Sequence, residues 1–150
     1  VTKLLYDAIR AEGIAAPKLA VAAINPHAGE NGCMGPEDER ETKPALDELR
    51  KQGVDIDGPF PPDTLFIEST RAKYDGLVTM YHDQGHIPFK MLAFETGVNS
   101  TLGLPVIRTS PDHGTAFDIA WQGKAAPGSM TAAAEIALLR AESRRKSRKE

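Results

Sequence analysis

A short apolar run that ends in a polar, histidine-containing stretch constrains this chain more than any other feature. The run is Gly76–Met80, and the polar stretch is Tyr81–Lys90, which contains two histidines, an aspartate, a glutamine and a lysine. An uninterrupted apolar run of this length is typical of a buried parallel strand. The sequence therefore predicts an open α/β sheet, in which ligands bind beyond the carboxyl ends of the strands.

The polar stretch itself has two competing interpretations. His82 and His86 are four residues apart, which on a helix would place both on one face, as in zinc proteases. Gly85 and Pro88 argue against a helix, because glycine is flexible and proline lacks an N–H and clashes with the preceding turn. The prediction is a polar loop followed by a helix from about residue 87 to residue 96. A solvated loop with a chance pair of histidines is the alternative.

Two further histidines follow predicted strands. Lys18–Ile24 is apolar enough for a central strand, and it ends in Asn25–Gly32, a loop rich in Gly and Pro that contains His27. Residues 98–110 contain two strand-like pieces, and His113 follows them. A lone loop histidine is more often a surface residue. Histidines at equivalent strand ends make a shared site more credible.

The remaining segments predict helices, one further strand and a tail. Asp63 follows two prolines and is interpreted first as a helix N-cap. The final residues, 141–150, form a basic tail, which is interpreted as a frayed helix end rather than a nucleic-acid-binding segment. The other predictions are a helix that ends at Gly13, a helical stretch over 36–52 with a break near Thr42, a strand over 56–60, and a helix from its N-cap Ser129 toward Arg140.

Size and composition favour one α/β unit over residues 1–150. The net charge of −3 does not indicate a nucleic-acid-binding surface. The single Cys33 excludes an internal disulfide framework. No apolar run approaches the roughly 18–20 residues of a membrane span, so no membrane partner is expected and a cytoplasmic location is predicted. Val1 already lies inside a helical pattern, which indicates a fragment of a longer protein.

The polar residues near these strand ends indicate a metal-assisted reaction on a small anion. Neutral imidazoles bind Zn²⁺ and similar ions, and an adjacent carboxylate can orient such a ligand. Lys90 and Arg108 suit a phosphate or a carboxylate, with Asn99 near the same loops. The alternatives are that Lys90 extends from its helix to solvent and that Arg108 pairs with a structural acid. No GxGxxG fingerprint or P-loop supports a nucleotide cofactor.

Six ordered motifs resemble the 4-hydroxythreonine-4-phosphate dehydrogenase family (PdxA). The version of the central loop with His86 is more similar to the branch that acts on four-carbon sugar-acid phosphates such as threonate or erythronate 4-phosphate. The resemblance runs from about residue 18 to about residue 140 and covers the carboxyl-terminal half of a family member. The motifs span residues 25–30, 62–66, 81–85, 97–99, 102–110 and 112–116.

The resemblance implies a three-layer α/β/α sandwich of the isocitrate/isopropylmalate dehydrogenase type, present here in part. It implies an enzyme of pyridoxine biosynthesis or a related pathway. The expected reaction oxidises a four-carbon phosphorylated hydroxy acid with NAD⁺ and a divalent metal (Zn²⁺, Mg²⁺ or Co²⁺), followed by decarboxylation. The expected assembly is a homodimer with a shared active site.

The resemblance implies a role for individual residues of this sequence, one motif at a time. The resemblance implies His27 and His82 as metal ligands, while Asp63 and Asp83 match family acids near the site. His113 matches a motif whose histidine is not a ligand in the family, so it is placed on the cofactor side. The implied substrate-binding residues are Lys90, Asn99 and Arg108.

Two alternatives to the dehydrogenase stay open. A metal-dependent hydrolase would use His27, His82 and His113 with a bound water. A non-catalytic remnant would persist as a binding or dimerisation module, because the family's third metal histidine lies upstream of this sequence.

Overall fold

The structure, a computed structural model, describes residues 1–147 of the chain. The chain divides into two units, residues 1–88 and residues 89–150, where one α/β unit was expected. Each unit contains its own β-sheet. The tail residues Arg148 and Lys149 lie outside the described residues. Among the residues that are described, no helix is long and apolar enough to cross a bilayer.

The first unit contains a parallel sheet and the helices that flank it. Its strands are β1 (Lys18–Ala22), β2 (Asp55–Phe60) and β3 (Gly76–Val78). Its helices are α1 (Thr2–Ala11), α2 (Lys43–Lys51), α3 (Pro62–Leu65), α4 (Glu68–Arg71) and the first part of α5 (His82–Ala93). All three strands lie where the sequence predicted them.

β1 is the central strand, and it is parallel to both neighbours in the order β2-β1-β3. Leu19 and Val21 pack on one face of the sheet with residues of α2, and Leu5 and Ile9 of α1 pack against the same cluster. Ala20 and the other small residues of β1 pack on the opposite face. Burial on both faces explains why β1 reads as a continuous apolar run.

Gly76 allows α1 to lie close to the sheet. A Cβ atom at Gly76 would lie 2.9 Å from Leu19 Cδ2 and 3.0 Å from Ile9 Cδ1. These distances are shorter than normal carbon–carbon contacts, so the ends of the Leu19 and Ile9 side chains would have to shift to admit a Cβ atom here.

The predicted break near Thr42 is wrong, because the backbone stays right-handed helical from Glu37 through Lys43 and only the hydrogen-bonding pattern changes there. A single π-helical turn covers Asp38–Thr42, and α2 follows it with Pro44 in its first turn. Pro44 has no N–H to donate to the preceding turn, and the wider π-type turn directly before it is where the helix accommodates that loss.

The predicted loop at the start of the polar stretch is wrong, because α5 begins at His82 and includes both Gly85 and Pro88. The side chain of Gln84 explains why the helix begins there: its Oε1 accepts a hydrogen bond of 2.8 Å from the N–H of Met80. A Cβ atom at Gly85 would lie 2.7 Å from Thr79 Oγ1, so only glycine permits this approach. Tertiary contacts thus override the local propensity.

The second unit contains an antiparallel hairpin covered by a long helix. The hairpin pairs β4 (Val98–Thr101) with β5 (Arg108–Pro111), which confirms the two predicted strand-like pieces. A short 3₁₀ turn covers Phe117–Ile119, and α6 runs from Gly128 to Ser147. α6 packs on the hairpin, and Thr109 Oγ1 donates a hydrogen bond of 2.9 Å to the Ala133 carbonyl.

Both ends of α6 differ from the prediction. Ser129, expected as the N-cap, lies inside the helix, and its buried hydroxyl accepts the N–H of Asp112 at 3.0 Å and donates to the Gly97 carbonyl. The helix also continues beyond Arg140. Arg144 accounts for part of this extension, because its guanidinium donates to the carbonyls of residues 104 and 105 at 3.3 Å and 3.0 Å.

Candidate functional site

The loop after β1 is a left-handed turn. The five residues His27–Asn31 have positive φ angles between 43° and 81°, and only Gly29 among them is a glycine. A left-handed conformation costs a non-glycine residue about 1–2 kcal/mol. Such strain persists only where the surroundings hold it, and it is concentrated at functional sites. The turn therefore marks the region of His27 as a candidate site.

Asp38 holds the start of this turn. Its carboxylate is fully buried, Oδ1 accepts the Ile24 N–H at 3.0 Å, and Oδ2 accepts the Asn25 N–H at 3.0 Å. A Cβ atom at Gly29 would lie 3.6 Å from Asp38 Cβ, so the turn packs directly against this residue. Sequence reasoning missed Asp38, since nothing in its local pattern distinguishes it from the acids on either side.

Asn25 makes a second contact between the turn and the same segment. Its side-chain Nδ2 donates a hydrogen bond of 2.7 Å to Glu37 Oε2. This hydrogen bond lowers the pKa of the Glu37 carboxyl below its ordinary value.

His27 is presented to solvent by the turn. Its side chain is 61% exposed, and Nδ1 lies 3.6 Å from Glu30 Oε2. That separation exceeds a hydrogen bond, so the Glu30 carboxylate does not fix the orientation of the imidazole.

His82 is the first residue of α5, and it has two close neighbours. Its Nδ1 lies 2.7 Å from Asp83 Oδ1, and its ring is stacked on that of His86. A proton on Nδ1, donated to Asp83, leaves Nε2 as the nitrogen with a lone pair. The same carboxylate–histidine pairing orients many metal ligands.

Gln84 joins the strand ends that carry the two histidines. It is 8% exposed, its Nε2 donates to the Ala23 carbonyl at 2.8 Å, and its Oε1 accepts the Met80 N–H. The carboxyl ends of β1 and β3 are thereby fixed to each other. His27 and His82 follow these two ends, so the structure brings them to the same edge of the sheet, which we call the carboxyl edge. Sequence reasoning noted the amide but gave it no role.

Asp63 follows β2, the third strand that ends at the carboxyl edge. It lies in the first turn of α3 and is exposed. The expectation that Asp63 caps this helix is wrong, because α3 has no side-chain capping hydrogen bond and its N-cap is Pro61. Thr64 Oγ1 instead donates to the Pro61 carbonyl at 3.2 Å. Pro61 and Pro62 restrict the backbone at the start of this turn, so a cap by Asp63 is not needed.

In the second unit, Lys90 is held by an acid. Its ammonium group contacts both the carboxylate and the backbone carbonyl of Asp112, and it lies 5.5 Å from the centre of the Phe94 ring. The Asp112 side chain is only 12% exposed. Lys90 therefore neutralises a largely buried carboxylate.

Asn99 and Arg108 lie on one face of the hairpin. Asn99 is opposite Ser110 and Arg108 is opposite Thr101, and side chains two positions apart on a strand share a face. Arg108 Nη1 donates to Thr101 Oγ1 at 3.0 Å, and both Asn99 and Arg108 are exposed. The alternate residues of the hairpin, such as Thr109, face α6. The structure thus brings these two predicted residues together on the uncovered face.

The site residues fall into two groups, one in each unit. His27, Asp63, His82 and Asp83 lie at the carboxyl edge of the first unit. Lys90, Asn99, Arg108 and His113 belong to the second unit, where His113 is exposed and its Nδ1 is 3.0 Å from the Gly114 carbonyl. Within residues 1–147, no three His, Cys, Asp or Glu side chains converge on one point as a metal site.

The sequence of residues 1–137 matches the profile of the family described as "Pyridoxal phosphate biosynthetic protein PdxA". A 4-hydroxythreonine-4-phosphate dehydrogenase of Desulforapulum autotrophicum is 56% identical over 129 residues, which are 86% of this chain and 38% of that protein. A D-threonate 4-phosphate dehydrogenase of Pectobacterium atrosepticum is 53% identical over 126 residues, which are 84% of this chain and 39% of that protein. The chain thus spans less than two-fifths of the length of these relatives.

A solved structure is similar over most of the chain. The crystal structure of a 4-hydroxythreonine-4-phosphate dehydrogenase from Klebsiella pneumoniae superposes with a TM-score of 0.82 at 52% sequence identity. The superposition covers 94% of this chain and 43% of the Klebsiella chain.

Proposed function

The chain belongs to the PdxA family, and on that premise we propose that it is part of an NAD-dependent dehydrogenase of a four-carbon phosphorylated hydroxy acid. The observation that carries the proposal is the placement of His27 and His82 at the ends of adjacent parallel strands, joined through Gln84. The names of the relatives support a substrate such as 4-hydroxythreonine 4-phosphate or D-threonate 4-phosphate. The finer fold that we propose for the whole protein is the three-layer α/β/α sandwich.

The residues present fit part of a divalent metal site. Two imidazoles at one sheet edge are suitable ligands for Zn²⁺ or Co²⁺, and the carboxylate of Asp83 orients one of them. We propose that His27 and His82 hold the ion together with a ligand from outside this sequence. When bound, such an ion supplies Lewis-acid polarisation of a substrate oxygen. Asp83 then has a positioning role, and Asp63 supplies a second carboxylate at the same edge.

We propose that the uncovered face of the hairpin binds the anionic groups of the substrate. The guanidinium group of Arg108 offers a planar, bidentate donor for phosphate or carboxylate, and Asn99 adds an amide on the same face. Lys90 contributes its charge while paired with Asp112, so its role includes positioning as well as anion binding. His113 is proposed to lie on the NAD side, and decarboxylation of the oxidised product completes the reaction.

A second candidate is a binding or dimerisation module without catalysis. The observation that favours it is the exposed face of the hairpin, where Asn99 and Arg108 lie together in a different unit from His27 and His82. The proposed assembly, for either candidate, is a cytoplasmic homodimer with a site shared between the two chains.

NADH formation, followed by absorbance, tests the dehydrogenase. The purified chain is incubated with NAD⁺, a divalent metal and each of threonate 4-phosphate, erythronate 4-phosphate and 4-hydroxythreonine 4-phosphate. The matched variants are His82→Ala and, as a control on the exposed surface of α2, Asp47→Asn. Turnover that is lost only in the His82 variant establishes the dehydrogenase. A folded sample that binds the phosphorylated acid without forming NADH supports the binding module as the activity of these 150 residues alone.

A further inference from the structure

The left-handed turn after β1 ends in an exposed Asn-Gly pair. Asn31 has φ 54° and ψ 33°, and Gly32 has φ 91°. Both residues are exposed, and a Cβ atom at Gly32 would meet nothing within 4 Å. Asparagine tolerates the left-handed conformation better than most side chains, and glycine adopts it without strain. The turn thus favours two residues that are chemically labile in this order, because the glycine leaves the backbone nitrogen after the asparagine unshielded.

We propose that Asn31 is a site of spontaneous deamidation and isomerisation. The backbone nitrogen of Gly32 attacks Asn31 Cγ and forms a new N–C bond, which closes a cyclic imide. The bond from Cγ to the side-chain nitrogen breaks, and ammonia leaves with the proton of the attacking nitrogen. Water then adds to one of the two imide carbonyls and opens the ring, which leaves aspartate or isoaspartate at position 31. The reaction consumes only water, so the inference is independent of the proposed function.

Ring closure requires rotation about the Cα–C bond of Asn31, which turns the Gly32 nitrogen toward the Asn31 side chain. No Cβ atom of Gly32 obstructs this movement. Asn31 also leaves a left-handed conformation that costs a non-glycine residue about 1–2 kcal/mol. A hydrogen bond of 3.1 Å from the Met34 N–H to the Gly29 carbonyl spans the pair, so the turn opens locally when the ring closes.

Both products change the turn that carries His27. Aspartate adds a negative charge directly after Glu30, whose Oε2 lies 3.6 Å from His27 Nδ1. Isoaspartate also inserts a methylene group into the main chain, because the chain then continues through the side-chain carbonyl. The extra backbone atom changes the spacing of the groups that close the turn, among them the Met34 N–H and the Gly29 carbonyl. The modified chain therefore presents His27 in a different way.

The sequence contains three asparagines, and the other two serve as internal controls. Asn25 precedes Pro26, whose nitrogen carries no hydrogen and cannot form the imide. Asn99 is exposed like Asn31, but it lies in β4 opposite Ser110, where the strand pairing resists the rotation. A purely conformational role for Asn31 makes a different prediction, because its amide would then persist as long as those of the other two.

Incubation of the folded 150-residue chain at mildly alkaline pH, followed by tandem mass spectrometry of its peptides, tests the inference. We expect the mass difference between an amide and a carboxyl group to accumulate at Asn31 and not at Asn25 or Asn99. An isoaspartate methyltransferase with a labelled methyl donor should label the same peptide. Asn31→Gly is the matched variant, because glycine keeps the left-handed backbone and removes the amide. Its peptide should gain neither mass nor label.

A parallel sample unfolded in guanidinium chloride separates the reactivity of the sequence from that of the fold. If Asn31 loses its amide in the unfolded sample and keeps it in the folded one, the fold protects the pair and the inference is overturned. Deamidation of Asn99 as fast as that of Asn31 in the folded chain also overturns it. Preferential loss at Asn31 in the folded chain, absent from Asn31→Gly, supports it.

Discussion

Gln84 and Ala23 are joined by a hydrogen bond of 2.8 Å from the Gln84 side-chain amide to the Ala23 carbonyl, across 61 positions of sequence. The same amide accepts the N–H of Met80. One buried side chain therefore satisfies two backbone groups at the ends of two strands and fixes the loops that follow them.

Replacing Gln84 by Leu should lower the free energy of unfolding by about 2–6 kcal/mol, because it leaves two backbone groups, the Met80 N–H and the Ala23 carbonyl, without their partner at about 1–3 kcal/mol for each. Urea denaturation monitored by circular dichroism measures the loss. Gln52→Leu is the matched control, since the Gln52 amide bonds an exposed glutamate one turn earlier on α2. Equal stability of the two variants would contradict the assigned role.

Asp38→Ala should destabilise the first unit by about 2–6 kcal/mol. The substitution removes the acceptor for two backbone N–H groups in a fully buried position, at about 1–3 kcal/mol for each. Asp47→Ala, which removes a carboxylate that is 65% exposed, should change stability by less than about 1 kcal/mol. Limited proteolysis adds a local readout, with faster cleavage within residues 25–32 expected in Asp38→Ala. Unchanged cleavage and stability would show that the turn is held by other contacts.

Gly97→Ala should destabilise the second unit by about 1–3 kcal/mol through overpacking. A Cβ atom at Gly97 would lie 2.4 Å from Phe89 Cζ and 2.8 Å from the Ala93 carbonyl oxygen. Gly114→Ala is the control, because a Cβ atom there meets nothing within 4 Å. Thermal unfolding of the two variants measures the difference. A Gly97→Ala protein as stable as the control would mean that the Phe89 ring moves aside without cost.

Tyr74 gives stability a dependence on alkaline pH. Burial, together with the hydrogen bond that Tyr74 donates to Asp57 at 3.0 Å, raises the pKa of its phenol to about 12. An unfolded tyrosine ionises near pH 10. Between about pH 10 and pH 12 the unfolded chain therefore loses a proton that the folded chain keeps, and the free energy of unfolding falls as pH rises.

Urea denaturation at a series of pH values tests this dependence. Tyr74→Phe should remove the alkaline slope, whereas Tyr81→Phe, at a side chain that is 55% exposed, should retain it. The opposite pattern would reject Tyr74 as the origin.

Asp57 makes the free energy of unfolding depend on pH in the acid range. Desolvation opposes its ionisation, but hydrogen bonds from Lys18 and Tyr74 outweigh that effect, so its pKa lies below the ordinary value. Its stabilisation is present above that ordinary value and is lost as pH falls through the lowered pKa.

The strands were predictable because burial on both faces of a strand produces a short, continuous apolar run in the sequence. β1 packs Leu19 and Val21 on one face and Ala20 and Ala22 on the other, which yields a continuous apolar run. The start of α5 was not predictable in this way. Gly85 and Pro88 oppose a helix locally, and the contacts of Gln84 that fix its first turn involve a residue 61 positions away.

In the candidate site, too, contacts between neighbouring residues were predictable from the sequence, and contacts between distant residues were not. The pairing of His82 with Asp83 is between adjacent residues and was foreseeable as a histidine with an orienting acid. The pairing of Lys90 with Asp112 depends on how the second unit packs, and no local pattern distinguishes Asp112 from other loop acids. Asp38 was missed for the same reason, since its partners are backbone N–H groups, which carry no sequence signal.

The order β2-β1-β3 leaves two strands with one unpaired side in the part of the chain that the structure describes. At β2, Asp55, Asp57 and Pro59 discourage an incoming strand through charge and a missing N–H. β3 consists of glycine, leucine and valine and has no such protection. Edge-to-edge pairing of concentrated protein is therefore expected at β3 rather than at β2, and a lysine in place of Val78 is not a suitable block, because Val78 packs against the core cluster of Leu19 and Val21.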